Sequence, residues 1–249
     1  MYKTYYFDII KHIFIYKLLY KRRLELKKLL VSDYDGTFNK CKSSNIDAIK
    51  EFIGNGNIFS IASARSFKSL KSETNKYNIP YDYLICNNGG IIFDKDDNII
   101  YFHPILNSFI LKVLKYISKL DILKNISFKD IYGNITTNLN EVYEIICTIS
   151  NNNLDRLNEI RNELNYLCSI PFIHILIFSK EIDKVDGIDI IASKESITEE
   201  SIYTIGNDFF DKNMLLKYNG HRMFNSNPIL YGNGINKIES VNELVRRLK

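Results

Sequence analysis

The chain has 249 residues, of which 45% are hydrophobic and 25% are charged, and its formal net charge is +4 at pH 7. These values are typical of a folded protein with one large domain, or with a domain and an insertion, and they exclude a disordered chain. The small net charge gives no reason to expect nucleic-acid binding, and no apolar run reaches the roughly 18 residues of a membrane-spanning helix.

The first 28 residues carry most of the positive charge. They contain eight Lys or Arg residues and two acidic ones, so the remainder of the chain is slightly acidic. Isoleucine and tyrosine residues recur at helical spacing between positions 9 and 20, which predicts one amphipathic helix in an extension over residues 1–27. That helix packs on its own domain, which is the favoured alternative, or it lies on an anionic membrane surface or a partner.

A short apolar strand is predicted over Leu29–Ser32, and it ends in two acidic residues. Asp33 and Asp35 are separated by one residue, so they point to the same side of an extended chain. Two like charges in such a place are costly unless a cation or a phosphate site uses them. Gly36 supplies the turn by which the chain leaves the strand. Because open α/β sheets place their chemistry at the carboxyl ends of strands, this loop is the predicted reactive centre.

Strands and helices alternate after this loop. The pattern predicts helices over residues 44–53 and 66–77, and strands over 58–62 and 83–86. This alternation is typical of a parallel, doubly wound sheet.

From residue 91 the alternation gives way to hairpins, which indicates an α+β insertion over residues 91–180. Alternation returns after residue 180, so residues 28–90 and 181–249 are predicted to form one α/β core. In the insertion the predicted elements are strands at 91–93 and 99–102, a helix at 108–119, strands at 126–128 and 142–149, a helix at 154–167 and a strand at 172–178. In the second part of the core they are a helix at 185–194, a strand at 201–205, a helix at 213–218, a strand at 222–224 and a helix at 238–248.

If the core strands form one sheet, polar side chains gather at one edge of it. Carboxylates hold Mg²⁺, and lysine and hydroxyl groups hold phosphate oxygens. An aspartate can attack phosphorus to give an aspartyl-phosphate, and a second carboxyl can protonate the leaving alcohol and then activate water. The set therefore predicts phosphoryl transfer with a hard divalent cation. The residues placed at this edge are Asp33, Asp35, Ser63, Asn88, Asn207 and Asp208, and Lys184 begins the helix that precedes one of these strands.

These motifs resemble those of the haloacid dehalogenase-like (HAD) hydrolases. Asp33-Tyr-Asp35-Gly-Thr37 resembles the DxDGT signature of that family. Ser63-Ala-Arg65 stands where the family usually shows Thr-Gly-Arg, and Asn88-Gly89-Gly90 stands where it shows Asn-Gly-Ala. The order of the motifs resembles that of the Cof-type phosphatases, whose α+β cap is inserted after the third core strand.

Later parts of the chain extend the resemblance. Lys184 precedes Asn207 at a spacing close to that of the lysine and the acidic motif in the family. The segment from Gly220 to Pro228 resembles the family segment that ends in Asn-Ala, with Asn227 as its asparagine. The likeness thus runs from about residue 28 to the C terminus.

The resemblance implies a Rossmann-like core, a mobile cap that closes over the site, and Mg²⁺ as cofactor. It implies Asp33 as the nucleophile and Asp35 as the general acid and base. The implied catalytic residues are Asp33, Asp35, Ser63 and Lys184. The implied phosphate- and substrate-binding residues are Gly36, Thr37, Ser63, Ala64, Arg65, Asn88, Lys184 and Asn227. The implied metal ligands are Asp33, the backbone carbonyl of Asp35, and Asn207, Asp208 and Asp211 of the acidic loop.

The acidic loop departs from the family pattern. The usual GDxxND becomes Gly206-Asn207-Asp208-Phe-Phe-Asp211, so Asn207 replaces the first aspartate. An amide oxygen can ligate Mg²⁺ but brings no charge, and Asp208, one residue on, can compensate for that loss.

The sequence therefore predicts a Mg²⁺-dependent phosphatase of small phosphate monoesters such as sugar phosphates. The four cysteines show no CxxC pairing and are typical of reduced thiols in a cytoplasm. Two alternatives stay open. Asn207 and the basic extension favour a binding or regulatory protein with weakened catalysis, and the same catalytic residues suit a phosphotransferase whose acceptor is not water.

Overall fold

The protein is described by a computed structural model, in which the chain forms two β-sheets with accompanying helices. The described residues are 27–118, 123–149, 166–169, 174–179, 181–232 and 234–249. Within these residues no helix is long and apolar enough to cross a membrane. The predicted N-terminal helix lies outside the described residues.

The larger sheet contains eight strands: β1 Leu29–Asp33, β2 Ile58–Ala62, β3 Tyr83–Cys86, β4 Ile91–Asp94, β5 Ile99–Phe102, β11 Ile202–Gly206, β12 Asn219–Met223 and β13 Asn236–Ile238. Their order across the sheet is β13-β12-β11-β1-β2-β3-β4-β5. The neighbours from β13 to β3 pair in parallel, and the hairpin of β4 and β5 adds to β3 in antiparallel fashion. The predicted doubly wound α/β core is thus confirmed.

Helices cover both faces of the large sheet because its central strands are apolar on both sides. In β1 every residue is buried, and successive side chains point to opposite faces. The helices are α1 Lys42–Gly54, α2 Phe67–Tyr77, α3 Asn107–Ile117, α4 Lys184–Glu195, α5 Lys212–Lys217 and α6 Val241–Arg247. Leu30 packs in one core with residues of α1, α2 and α6, while Leu29 and Val31 pack in another with residues of α4 and α5.

The smaller sheet contains five strands: β6 Leu123–Lys129, β7 Ile135–Thr136, β8 Glu144–Ile149, β9 Tyr166–Ser169 and β10 His174–Ile177, in the order β7-β6-β8-β10-β9. All of its pairings are antiparallel. One face packs on α3 through a separate apolar cluster that includes Ile110, Val113, Ile145 and Ile177. We call the part that follows β5 and ends before α4 the cap.

Three expectations about single elements need correction. Strands β4 and β5, which the sequence places in the insertion, belong to the large sheet, because hairpin periodicity does not reveal which sheet the hairpin joins. The last predicted helix starts at Val241 rather than at residue 238, because Ile238 ends β13 and Ser240 caps the helix by accepting from the Glu243 N–H. Of the helix predicted over 154–167, the final two residues lie in β9, and the others are outside the described residues.

Candidate active site

Four neighbouring parallel strands bring the predicted site residues to one edge of the large sheet. In the order β11, β1, β2 and β3, their carboxyl ends lead into Asn207, Asp33, Ser63 and the Asn87–Gly89 turn. Lys184 is the first residue of α4, whose preceding residue, Asp183, lies against that turn. A Cβ on Gly89 would come within 2.0 Å of the Asp183 carbonyl oxygen, so only glycine permits this approach.

The most buried part of the site is an ion-paired cluster of Asp33, Lys184 and Asp211. Lys184 Nζ donates to Asp33 Oδ1 over 2.8 Å and to Asp211 Oδ1 over 2.7 Å. Lys184 and Asp211 are almost completely buried, at 2% and 1% exposure. An ammonium group carries three donors, so this arrangement leaves one N–H of Lys184 for a phosphate oxygen.

The carboxylates of Asp33 and Asp211 share the one positive charge of Lys184. Burial and the neighbouring Asp211 charge raise the pKa of Asp33 to about 7, against the opposing effect of the Lys184 ammonium. Burial lowers the pKa of Lys184, but the Asp211 and Asp33 charges outweigh it and raise that pKa above its ordinary value. A further cation beside Asp33 would favour its ionised form, which is the form that attacks phosphorus.

The carboxylate of Asp35 lies on the open side of the site and is held by Arg65. Arg65 Nε donates to Asp35 Oδ2 over 2.7 Å, and a terminal guanidinium nitrogen donates to Asp35 Oδ1 over 2.9 Å. This bidentate pairing fixes the plane of the carboxylate. Asn39 accepts from the Gly36 N–H over 2.9 Å and holds the loop from the other side. The sequence places Arg65 in the binding set but does not reveal this pairing with Asp35.

Asn207 points its side chain at the two groups that the family resemblance assigns to the cation. Its terminal amide atom lies 3.2 Å from Asp33 Oδ2, 2.8 Å from the Asp35 carbonyl oxygen and 2.9 Å from Thr37 Oγ1. Gly36 makes room for it, because a Cβ there would lie 2.4 Å from that amide. Neighbouring ligands in an octahedral Mg²⁺ shell lie about 3 Å apart, since each Mg–O bond is about 2.1 Å. The spacing and chemistry of Asp33 Oδ2, the Asp35 carbonyl and the Asn207 amide oxygen therefore fit Mg²⁺.

The other two predicted metal ligands have different partners. Asp211 accepts from Lys184 with one oxygen, and with the other it accepts from the backbone N–H groups of Asn207 and Asp208, over 2.8 and 2.9 Å. Asp208 Oδ1 accepts from the Phe209 N–H and from the Asn227 amide. Among the described residues no group of three His, Cys, Asp or Glu side chains is placed to hold a metal ion. Asp208 and Asp211 thus shape the acidic loop, and an oxygen set for Mg²⁺ needs Asn207 and a backbone carbonyl.

The side of the site beside β2 and β3 presents uncharged groups. Ser63 is 1% exposed, and its Oγ accepts from the Arg65 N–H over 3.2 Å, which leaves its own hydrogen free to donate. Asn88 donates its backbone N–H to the Ser63 carbonyl over 3.0 Å. Its side-chain oxygen is buried without a hydrogen-bond partner, and its φ of 56° lies in the left-handed region. Buried unsatisfied groups and such backbone strain cluster at functional sites.

Asn227 and Ala64, two of the predicted binding residues, contribute to the site in different ways. Asn227 caps the turn Pro228–Leu230 with its side-chain oxygen and bonds Asp208 with its amide, so it supports the acidic loop. Ala64 lies between Ser63 and Arg65 and brings no polar side chain, so its contribution to an anion site is limited to its backbone.

Among the described residues of the cap, Tyr132 and Tyr143 contact this edge of the sheet through their backbone carbonyls. The Tyr132 carbonyl accepts from the Lys68 N–H over 3.1 Å, in the first turn of α2. Asn87 Nδ2 donates to the Tyr143 carbonyl over 3.1 Å. The next residue, Glu144, is 4% exposed, and burial raises its pKa to about 7. Glu144 is not among the site residues predicted from the sequence; its one signal there is an acidic residue among apolar neighbours in a predicted strand.

Comparison with known proteins supports the resemblance that the motifs suggest. Residues 30–144 match a family described as haloacid dehalogenase-like hydrolase. An uncharacterized protein of Mycoplasma capricolum subsp. capricolum is 26% identical over 231 residues, covering 76% of this chain and 87% of that protein.

Solved structures have a similar fold over 89% of this chain. A structure described as a HAD/COF-like hydrolase from Plasmodium vivax superposes with a TM-score of 0.71 at 18% identity, covering 89% of this chain and 95% of that one. A haloacid dehalogenase-like hydrolase from B. subtilis gives 0.73 at 14% identity, covering 89% and 100%. A HAD subclass IIB sugar phosphatase gives 0.69 at 18% identity, covering 89% and 98%. At these identities the likeness is one of fold, and it agrees with the Cof-type resemblance of the motifs.

Proposed function

We propose that this chain, a haloacid dehalogenase-like protein by its family match and its fold, is a Mg²⁺-dependent phosphatase of small phosphate monoesters. The observation that carries the proposal is the environment of Asp33. One of its carboxylate oxygens accepts from Lys184, and the other faces the Asp35 carbonyl and the Asn207 amide. A carboxylate held in this way has one oxygen beside an ammonium group and the other beside a set of oxygens suited to a hard cation.

The first half-reaction follows from the placement of Asp33 and Asp35. A carboxylate oxygen of Asp33 attacks phosphorus, the P–O bond to the alcohol breaks, and an aspartyl-phosphate forms. Asp35 gives its proton to the leaving alkoxide, which departs as the neutral alcohol. The remaining N–H of Lys184 and the hydroxyl of Ser63 bind phosphoryl oxygens and stabilise the charge that builds on them.

The second half-reaction uses the same groups in the reverse direction. Asp35, now ionised, takes a proton from water, and the water oxygen attacks phosphorus. The bond from phosphorus to Asp33 breaks, which returns the carboxylate and releases inorganic phosphate. In this step Arg65 holds the ionised Asp35 carboxylate in one plane.

Asp33, the Asp35 carbonyl and Asn207 would hold the cation. When bound, Mg²⁺ would supply positive charge for the phosphoryl oxygens and for the ionised form of Asp33.

Small phosphate esters, with sugar phosphates as the first class to assay, are proposed as substrates. The support is the fold shared with a sugar phosphatase and a cap that reaches the catalytic edge of the sheet. Residues of the cap contribute to the choice among them, because the core offers groups for the phosphate but few for the rest of an ester.

The proposal is tested by measuring phosphate release from a panel of sugar phosphates and other monoesters, with and without Mg²⁺. We expect Mg²⁺-dependent release that falls at least about 10³-fold in Asp33→Asn. Asp47→Asn, a matched change at an exposed position on α1, is the control and keeps full activity. An active Asp33→Asn protein would exclude Asp33 as the nucleophile.

A second candidate function is a binding or regulatory protein with weakened catalysis, and the specific observation behind it is Asn207 in place of an acidic ligand. Its signature is retention of phosphate-ester binding with no turnover across the same panel. Transfer of the phosphoryl group to another acceptor would appear instead as a phosphorylated product in place of free phosphate.

A further inference from the structure

The amide of the Asn207 side chain can face Asp33 and Asp35 with either its nitrogen or its oxygen. Asp33 Oδ2, as a carboxylate oxygen, and the Asp35 carbonyl oxygen are acceptors, so the atom that faces them in the cation-free protein is the amide nitrogen. In that orientation the nitrogen donates to the Asp35 carbonyl oxygen over 2.8 Å, to Asp33 Oδ2 over 3.2 Å and to Thr37 Oγ1 over 2.9 Å. The positive end of the amide dipole thus lies beside Asp33 in the place where a cation ligand is needed. With the amide oxygen in the same position, Thr37 Oγ1 instead donates to that oxygen over 2.9 Å.

The backbone around Asn207 holds this side chain in position. The Asn207 N–H donates to Asp211 Oδ2 over 2.8 Å, and the Asn227 N–H donates to the Asn207 carbonyl over 2.7 Å. Gly36, whose φ is +81°, leaves space for the amide, because a Cβ at position 36 would lie 2.4 Å from it. A half-turn of the amide about its last side-chain bond exchanges nitrogen and oxygen while the backbone and these contacts stay in place.

After such a turn the same position carries an oxygen. The Asn207 oxygen would then lie 3.2 Å from Asp33 Oδ2 and 2.8 Å from the Asp35 carbonyl oxygen, close to the spacing of about 3 Å between neighbouring ligands of an octahedral Mg²⁺ ion. An aspartate at position 207 could supply an oxygen to the cation but could not donate hydrogen bonds to Asp33 and Asp35 in its absence. Its carboxylate would lie about 3 Å from that of Asp33 and repel it until a cation bound.

We propose that the Asn207 amide takes the place of the cation in the cation-free protein and turns its oxygen inward when a divalent cation binds. The cation must therefore displace hydrogen bonds that the amide makes to Asp33 and Asp35. The cation-free site is stable and uncharged at position 207, and the affinity for the cation is lower than an aspartate there would give. This inference rests on the cation of the proposed function but not on turnover.

The amide turn is observable in solution without any substrate. In a nitrogen-15 NMR spectrum, the side-chain NH₂ pair of Asn207 is identified as the pair that disappears in Asn207→Asp. We expect this pair to shift on titration with MgCl₂, as its hydrogen bonds to Asp33 and Asp35 are replaced by contact with solvent or Thr37. A pair that stays unmoved at saturating Mg²⁺ overturns the proposal, and so does a wild-type protein that binds no Mg²⁺.

Calorimetric titration with MgCl₂ gives the second test. Asn207→Asp adds a charged ligand, so its dissociation constant for Mg²⁺ is expected to fall about tenfold or more. Its melting temperature is expected to be below that of the wild type without Mg²⁺ and to rise further when Mg²⁺ is added. Asn39→Asp adds the same charge to the neighbouring loop, outside the three-oxygen set, and changes the constant much less. Equal Mg²⁺ affinity in Asn207→Asp and the wild type contradicts the inference, and the wild-type NMR titration decides it if Asn207→Asp does not fold.

Binding and turnover fail separately in these experiments. A protein whose Asn207 amide moves with Mg²⁺ but which hydrolyses no ester overturns the proposed function and keeps this inference. A protein that hydrolyses esters while the signals of the Asn207 amide stay unmoved overturns this inference and keeps the proposed function.

Discussion

The two sheets of this protein bury charge in different ways. At the edge of the large sheet, Lys184 is buried between two carboxylates, with contacts of 2.7 and 2.8 Å. In the small sheet, Glu144 is equally buried, but its nearest opposite charge is Lys129 on the paired strand β6, which only partly offsets the cost of burial. The charges of the core are therefore paired within a buried cluster, whereas the buried carboxyl of the cap has no ion pair among the described residues. The pKa of Glu144, like that of Asp33, is raised to about 7.

The strongest test of this contrast is Lys184→Met. It leaves Asp33 and Asp211 buried beside each other without a counter-charge, so the free energy of unfolding is expected to fall by about 3–5 kcal/mol. Lys217→Met is the matched control, since Lys217 pairs with Asp189 on the surface, and it should cost under about 1 kcal/mol. Urea denaturation of the two variants measures the difference. Equal losses of the free energy of unfolding would mean that the Lys184 charge stabilises the buried cluster no more than the Lys217 charge stabilises a surface pair.

The cap is tested by Glu144→Gln. The pKa of Glu144 is raised from 4.5 to about 7 on folding, so the folded state is favoured below pH 4.5 and loses that advantage as the pH rises to about 7. The wild type should lose up to about 3 kcal/mol of stability over this window from Glu144 alone, in addition to any contribution of Asp33. Glu144→Gln removes the Glu144 part, and Glu141→Gln, at an exposed neighbour, does not. The free energy of unfolding is measured at pH 5 and at pH 8 for the wild type and both variants. An equal change between the two pH values in Glu144→Gln and in the wild type would contradict this account.

The smallest expected effect on stability is that of the exposed pair on the open side of the core site. Arg65→Lys keeps the charge but loses the bidentate contact with Asp35, and the pair is half-exposed. The free energy of unfolding should change by less than about 1 kcal/mol, while turnover falls about tenfold because Asp35 is no longer held in one plane. Turnover against pH, measured beside a thermal melt, separates the two effects. A loss of stability without a loss of turnover would make Arg65 a structural residue only.

The core could be predicted from the sequence because its signals are local. Strands β1, β2 and β3 are short apolar runs that end in polar turns, and their bounds match within one residue. Placing Asp33, Ser63 and Asn207 at one edge then needs only the rule that parallel strands share their carboxyl ends.

Other features depend on long-range geometry that periodicity does not contain. The hairpin Ile91–Phe102 is visible in the sequence, but the sheet that it joins is not. Strand β13 is only three residues long and contains a single buried side chain. The pairing of Arg65 with Asp35 depends on side-chain rotamers, and the burial of Glu144 depends on how the cap meets the core. A local window of sequence contains no signal for the first three of these, and for Glu144 it contains only an acidic residue among apolar neighbours.

The central claim is that Asp33 becomes phosphorylated, and one measurement tests it directly. Asp35→Asn is incubated with Mg²⁺ and p-nitrophenyl phosphate, whose leaving group needs no proton, then quenched in acid and digested for peptide mass mapping. Because this variant cannot activate water, we expect one phosphoryl group to accumulate on the peptide that contains Asp33. A protein that releases p-nitrophenol while no phosphoryl group reaches Asp33, or while it is found on another residue, would contradict the account.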